Sequence, residues 1–176
     1  MANATAKLRQ LDAVAERHLE QLADVLLDCV ESGASVSFML PMTRDRAIAF
    51  WRSVADGVHA GKRVLLIAED QAGICGTVQL VLDLPENQPH RADVCKMLVH
   101  RRARRQGLGA ALMRAAENAA RSKGRTLLVL DAVTGGDAAR LYERLGWIRV
   151  GDIPGYALYP QGGLCSTTYY YRTLEG

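Results

Sequence analysis

Val99-His100-Arg101-Arg102-Ala103-Arg104-Arg105-Gln106-Gly107-Leu108-Gly109-Ala110 joins an apolar, strand-like run to an alanine-rich, helical one. A strand that runs through such a loop into a helix presents consecutive backbone N–H groups at the helix N-terminus. Those unsatisfied donors and the helix dipole both favour an anion. Gly107 and Gly109 carry no Cβ, so a pyrophosphate is expected to approach the backbone there. The loop is not a dinucleotide fingerprint, whose third glycine would stand where Leu112 is, nor a P-loop, which needs Gly-Lys-Ser/Thr at its end. Arginine fills four of the five positions from Arg101 to Arg105. The same residues also fit a solvated basic surface or a nucleic-acid patch.

Upstream, Ala92 to Val99 reads as the strand that feeds the loop. Downstream, Leu108, Ala111, Leu112, Ala115, Ala116 and Ala119 recur at helical spacing up to about Gly124. Thr126 to Leu130 reads as a strand ended by Asp131, followed by a glycine pair, a short helix from about Asp137 to Leu145, and strands at Trp147 to Val150 and Thr167 to Arg172. Toward the N-terminus, Val64 to Ala68 and Ile74 to Leu82 form strands around a turn at Gln71-Ala72-Gly73. Helices are expected from Val14 to Val30 and after Thr43, a natural N-cap, and a short first strand at Lys7 to Leu11. An apolar connector, Ser32 to Met42, joins the two early helices, and Asp83 to Pro89 is a loop. The order β-α-α-β-β-β-α-β-α-β-β predicts an α+β fold, with residues 1–176 as one domain.

The 176 residues suffice for a full core, and a net charge of +3 is too small to imply a polyanionic partner, so no nucleic acid is expected. No apolar run approaches the ~18 residues of a membrane span, and Met1 to Lys7 has no apolar signal core. A cytoplasmic protein without a membrane partner is expected. Cys29, Cys75, Cys95 and Cys165 form no Cys-x-x-Cys pair, and the four histidines lack ligand-like spacing, so reduced thiols and no metal are expected.

Arg104-Arg105-Gln106-Gly107-Leu108-Gly109 fits the pattern Arg/Gln-x-x-Gly-x-Gly/Ala and resembles the acetyl-CoA pyrophosphate loop of the GNAT acetyltransferase superfamily. Ala138-Ala139-Arg140-Leu141-Tyr142-Glu143-Arg144-Leu145-Gly146-Trp147 resembles that superfamily's second motif, and the element order is that of the GNAT fold. The resemblance implies a mixed, mostly antiparallel sheet flanked by helices, acetyl-CoA as co-substrate, and direct attack of an amine on the thioester. It assigns cofactor binding to Leu98, Val99, Arg104, Arg105, Gln106, Gly107, Leu108, Gly109 and Ala110. The backbone of Leu98 and Val99 would pair with the pantetheine amides. Arg101 or Arg102 would meet the adenosine 3′-phosphate or stay solvated.

Tyr142 is implied as the proton donor to the departing thiolate. A thiol near ~8.5 and a phenol near ~10 make that transfer roughly matched. Segments 33–39, 91–99 and 152–156 resemble the tabtoxin-resistance branch, which has carboxylates at the positions of Asp131 and Asp93, with Glu at the second. The acceptor proton would go to Asp131, to Asp93 or through water, and the shorter Asp93 favours a water relay. Many members carry Asn where this chain has Asp137, so an amide contact to the cofactor is replaced here by a carboxylate or a helix cap. Phe38, Tyr156, Tyr159 and Arg91 are candidates for a substrate pocket, Arg91 or Lys96 meeting a carboxylate. The expected activity is N-acetylation of a small, amino-acid-like amine, with detoxification as its sharpest form. Acetylation of a protein N-terminus or lysine, or acyl-CoA sensing without catalysis, are the alternatives.

Overall fold

The computed structural model describes residues 6–175. Of the N-terminal stretch read for a signal core, Met1 to Thr5 lie outside them. The elements are β1 (Lys7–Leu11), α1 (Glu16–Glu31), α2 (Arg44–His59), β2 (Arg63–Asp70), β3 (Gly73–Val81), β4 (Arg91–Val99), a 3-10 turn (Arg101–Ala103), α3 (Leu108–Ser122), β5 (Leu127–Val133), α4 (Asp137–Arg144), β6 (Ile148–Leu158) and β7 (Leu164–Thr173). The strands form one sheet in the order β1-β2-β3-β4-β5-β7-β6. Every neighbouring pair is antiparallel except β4 and β5. This is a mixed, mostly antiparallel sheet with helices on both sides, as the resemblance implies.

Two hydrophobic clusters cover the two faces. One joins Leu19, Leu22 and Leu26 of α1 and Trp51 of α2 to Leu65 and Ile67 of β2. The other joins Leu112, Met113 and Ala116 of α3 and Tyr142 of α4 to Leu66, Leu80, Val94, Leu128 and Tyr170. α2 starts as its sequence dictates, with Thr43 Oγ1 accepting the Arg46 N–H at 3.3 Å. α3 lies close on β3 because Gly76 has no side chain. A Cβ there would stand 3.1 Å from Leu112 Cδ1 and 3.3 Å from Leu108 Cδ2.

Strand β4 changes face midway. Ala92 and Val94 pack in the α3–α4 cluster, yet Leu98, which strict alternation would put beside them, packs with α1 and α2. The register steps from Gln79↔Cys95 to Thr77↔Leu98, leaving Lys96 and Met97 opposite Val78. Lys96 carries the positive φ of this bulge, +50°.

Three boundaries differ from the sequence reading by three residues or more. β5 runs on to Val133, so Asp131 lies inside the strand and does not end it. β6 extends to Leu158, eight residues past the expected end at Val150, taking in Pro154 and Tyr156, and β7 begins at Leu164. β6 is the edge of the sheet and its register shifts twice, at Arg149/Gly151 and Ile153/Ala157. An edge strand with bulges tolerates Pro154 within it.

Gly76→Val should destabilise the fold by about 1–3 kcal/mol through overpacking, and Leu112→Ala by about 2–5 kcal/mol through a cavity. In denaturant unfolding the double variant should lose less than the sum, because the truncated leucine makes room for the valine. Strict additivity would mean that the two residues do not share this contact.

Candidate active site

The two parallel strands part where the bulge begins. Pairing between β4 and β5 covers only Arg91–Asp93 against Leu127–Val129. Beyond it, Val94 to Val99 on one side and Asp131 to Val133 on the other line a cleft of about 1050 Å³, closed by Ser32–Ser37 of the connector and by the starts of α3 and α4. The connector is pinned across the far end of the sheet. Ser35 Oγ donates to the Leu158 carbonyl at 2.8 Å, and the Leu40 N–H to that of Pro160 at 2.9 Å.

At one end of the cleft, Gly107 caps α3 in the left-handed region, φ +78° and ψ 0°. The first helical hydrogen bond runs from Ala111 N–H to the Gly107 carbonyl. Among the described residues, no backbone N–H from Arg105 to Ala110 donates to another backbone carbonyl. These free donors are an anion cradle. Arg104, Arg105, Arg114, Arg140 and Arg144 line the same cleft. Arg114, Arg140 and Arg144 were not singled out from the sequence. Their signal was helical spacing: Arg114 stands seven residues after Gly107, and Arg140 and Arg144 are an i, i+4 pair. The cradle, its cationic rim and the cleft's length fit a cofactor with a pyrophosphate at one end.

The loop owes its shape to Asp28 of α1, which is buried. Its carboxylate accepts from the backbone N–H of Arg101 at 2.9 Å, from the Arg101 guanidinium, and from Arg104 Nη2 at 3.5 Å. Arg104 also donates to the Val99 carbonyl and to Ser32 Oγ, both at 2.9 Å. Arg101 is thus engaged by Asp28, and Arg102 by Asp70 at 3.1 Å, rather than standing free for a phosphate. Two readings of the loop change. Gln106 does not line the cleft; its amide turns back to the Arg102 carbonyl at 3.2 Å. Gly109 lines the cleft and serves packing as well: a Cβ would stand 3.0 Å from Leu141 Cδ2 of α4. At Gly107 nothing lies within 4 Å of a Cβ, and the requirement is its positive φ.

At the other end stands Tyr142, buried in the α4 core but lining the cleft. Burial, then the charges of Asp131 and Cys95, push its phenol well above the ordinary range. The proton is held more tightly than the matched transfer expected from free side chains. Tyr142 is therefore better suited to donate a hydrogen bond than to give up its proton. Cys95 also lines the cleft, and burial, foremost among several influences, raises its thiol, keeping it from the reactive thiolate form. Asp137 is the first residue of α4, after Gly136 as N-cap, and pairs with Arg140 at 2.6 Å. That hydrogen bond holds Asp137 below the usual carboxylate range, so it is an acceptor only.

A second chamber of about 410 Å³ opens beside the first, lined by Phe38, Met39, Tyr156, Leu158, Cys165 and Thr167 among others. Asp131 lines both and accepts from Thr167 Oγ1 at 3.0 Å. Phe38 and Tyr156 thus border the side chamber and Tyr159 the main cleft. Tyr156 and Tyr169 share a hydrogen bond of 2.8 Å. That bond, then burial and the Asp131 and Asp93 charges, push Tyr169 up to about 12. Arg91 and Asp93 line neither cavity. They pair with each other, and Arg91 also holds Gln88 at 2.7 Å. The reason is their position in the stretch where β4 and β5 are still hydrogen-bonded, before the strands diverge. Among the described residues no cluster of three or more His, Cys, Asp or Glu could hold a metal, and no helix is long and apolar enough to cross a membrane.

Gly107→Val should weaken binding of CoA by about tenfold or more in calorimetry, because a β-branched residue resists the left-handed conformation. Gly107→Asn, which tolerates it, should retain more affinity; equal losses would point away from backbone conformation. The raised Tyr142 phenol keeps its proton through the ordinary phenol range, so the pH profile of kcat should show no descending limb near about 10. A limb there that vanishes in Tyr142→Phe would contradict this.

The family profile described as "Acetyltransferase (GNAT) domain" matches residues 61–149, just over half of the chain. An uncharacterized N-acetyltransferase from the hisH-hisA intergenic region of Azospirillum brasilense is 29% identical over 126 residues, covering 70% of this chain and 73% of that protein. Among solved structures, an N-acetyltransferase from Staphylococcus aureus Mu50 superposes with a TM-score of 0.80 at 16% identity, covering 98% of this chain and 100% of the other. The Salmonella typhimurium protein yncA, described as an acetyltransferase and solved with its cofactor acetyl-CoA, superposes with a TM-score of 0.79 at 15% identity, covering 98% and 96%. Its profile spanning β2 to the start of β6 and its fold shared from end to end, the chain belongs to the GNAT acetyltransferase family.

Proposed function

We propose that the protein transfers the acetyl group of acetyl-CoA to the free amine of a small, amino-acid-like molecule, by direct attack within a ternary complex. The observation that carries this reading is the meeting of two cavities at Asp131, a long cationic cleft and a side chamber of about 410 Å³. The smaller one suits a compact acceptor better than a protein chain. Acetyl-CoA supplies the activated acetyl group. The N–H groups from Gly107 to Ala110, with Arg105, hold its phosphates, Arg104 bracing the loop against Asp28 and Ser32, and the strand end Leu98–Val99 meets its pantetheine arm.

Asp131 takes the proton that the acceptor ammonium must lose, since an α-amine titrates near ~8 and an alkylamine near ~10. The nitrogen then bonds to the acetyl carbon as the carbon–sulfur bond breaks. The backbone of the strand end Leu98–Val99 supplies the N–H donor for the developing oxyanion. The nitrogen's second proton leaves as the amide forms and reaches the departing sulfur through water, giving a free thiol, while Tyr142 donates a hydrogen bond to that sulfur. No acyl-enzyme is invoked, in keeping with a Cys95 thiol held protonated by burial. Asp93, engaged by Arg91 outside the cleft, is given no direct contact with the acceptor. The likeness of segments 33–39, 91–99 and 152–156 to the tabtoxin-resistance acetyltransferases favours an amino-acid-like acceptor and a detoxifying role.

Thiol release from acetyl-CoA, followed across amino acids, dipeptides, polyamines and aminoglycosides, tests the reading. Amine-dependent release is expected, strongest with amino acids and dipeptides. Tyr142→Phe should lower kcat by about tenfold to a hundredfold with the affinity for CoA unchanged. Release that no amine stimulates, from a protein that binds acetyl-CoA, would overturn the transferase reading in favour of a sensor.

A further inference from the structure

Lys96 is a half-buried cation with no carboxylate paired to it among the described residues. It stands at the positive-φ bulge of β4, and its ammonium projects toward the connector. There it donates to Ser37 Oγ at 3.1 Å and lies 6.0 and 5.8 Å from the ring centroids of Phe38 and Phe50. The two rings meet edge to face, 5.2 Å between centroids, so the ammonium rests on a fixed aromatic corner. Burial draws the Lys96 amine below its ordinary value, against the opposing pull of Cys95 and Asp131. A cation taken from water without a counter-charge is costly, and an anion that arrives with the substrate relieves that cost.

Its location identifies which anion. Lys96 lines the main cleft, while its partner Ser37 and the neighbouring Phe38 line the side chamber that shares Asp131. The cofactor phosphates belong at the far end of β4, past Val99, where the cradle and its own arginines lie. The Lys96 ammonium, in the main cleft, reaches the rim of the acceptor chamber at Ser37, and Asp131 lines both spaces, so the two opposite charges flank the way into a chamber largely apolar through Phe38, Met39, Ala157 and Leu158.

We infer that the acceptor is a zwitterion, its carboxylate held by Lys96 and its ammonium by Asp131, with an apolar side chain in the chamber behind Phe38. This rests on the transferase reading above and narrows it to α-amino acids or closely similar acids. Lys96 is a specificity-determining residue. Of the two cations the sequence offered for this task, Arg91 is spent on Asp93 and Gln88.

The test compares leucine, methionine and phenylalanine, each with its carboxamide and its decarboxylated amine, as acceptors in thiol release at equal free-base concentration. The wild-type protein should prefer the acids by about tenfold in kcat/KM, the worth of one charge-assisted contact. Lys96→Met should bring that ratio close to one, chiefly by raising KM for the acids, and Lys96→Arg should restore much of it. Calorimetry with CoA should show that neither variant has lost the cofactor.

Equal use of acids and amides by the wild-type protein would overturn the inference and leave the transferase reading intact. An equal loss in Lys96→Met on all three acceptor types would also overturn it, since it would mean that Lys96 only tethers the connector through Ser37. Release that no amine stimulates would remove the transferase reading, and this inference with it.

Discussion

The separation of β4 from β5 is the constraint on which the site depends. Two parallel strands hydrogen-bonded along their whole length would leave no space between them, and the sheet would carry a closed face. Here one extra residue on β4, at Lys96–Met97, ends that possibility. The bulge inverts which side chains meet which core and turns the strand away from its neighbour after three paired residues. Met97 and Val99 pack toward α3 and α4, Leu98 packs toward α1, and the gap becomes the cleft. The same bulge aims Lys96 at the connector. A single departure from strand alternation thus makes the cavity and furnishes one of its charges.

Electrostatics divides that cavity into two ends. Around the start of α3, arginines collect at a helix terminus whose N–H groups have no partners. They repel one another and are held by a buried carboxylate, Asp28, on a helix far away in sequence. A basic loop on its own would spread into solvent; tied to Asp28, it presents Arg104 and the backbone in one arrangement. At the opposite end the charges are few, an exposed Asp131 and a half-buried Lys96. Burial, then the charges of Cys95 and Asp131, shift the Lys96 amine and the Tyr142 phenol there. Anion holding is thus separated from proton handling along the length of one strand.

The glycines of the loop serve different ends although the sequence treats them alike. Gly107 supplies a left-handed cap that allows the helix to begin where the cradle needs it. Gly109 allows α4 to lie against α3 through Leu141, and that contact carries Tyr142 to the cleft. Small size at one position is a matter of backbone angle, and at the other a matter of helix packing.

Local pattern was enough to determine the order of elements, the Thr43 cap, the strand–loop–helix cradle and the motif bearing Tyr142. Each of these depends on residues near one another in the chain: apolar spacing, capping oxygens, consecutive free N–H groups. The tertiary structure alone decided which charges share a cavity. Asp93 and Asp131 both stood at promising strand positions, and only the distance over which β4 and β5 remain paired separates them. Arg91 and Lys96 were equivalent cations until Asp93 claimed one and the bulge turned the other toward Ser37. Sequence periodicity is blind to a one-residue bulge, because the bulge is chosen by packing on both faces of the sheet at once. It reverses the inside–outside parity of every side chain beyond it.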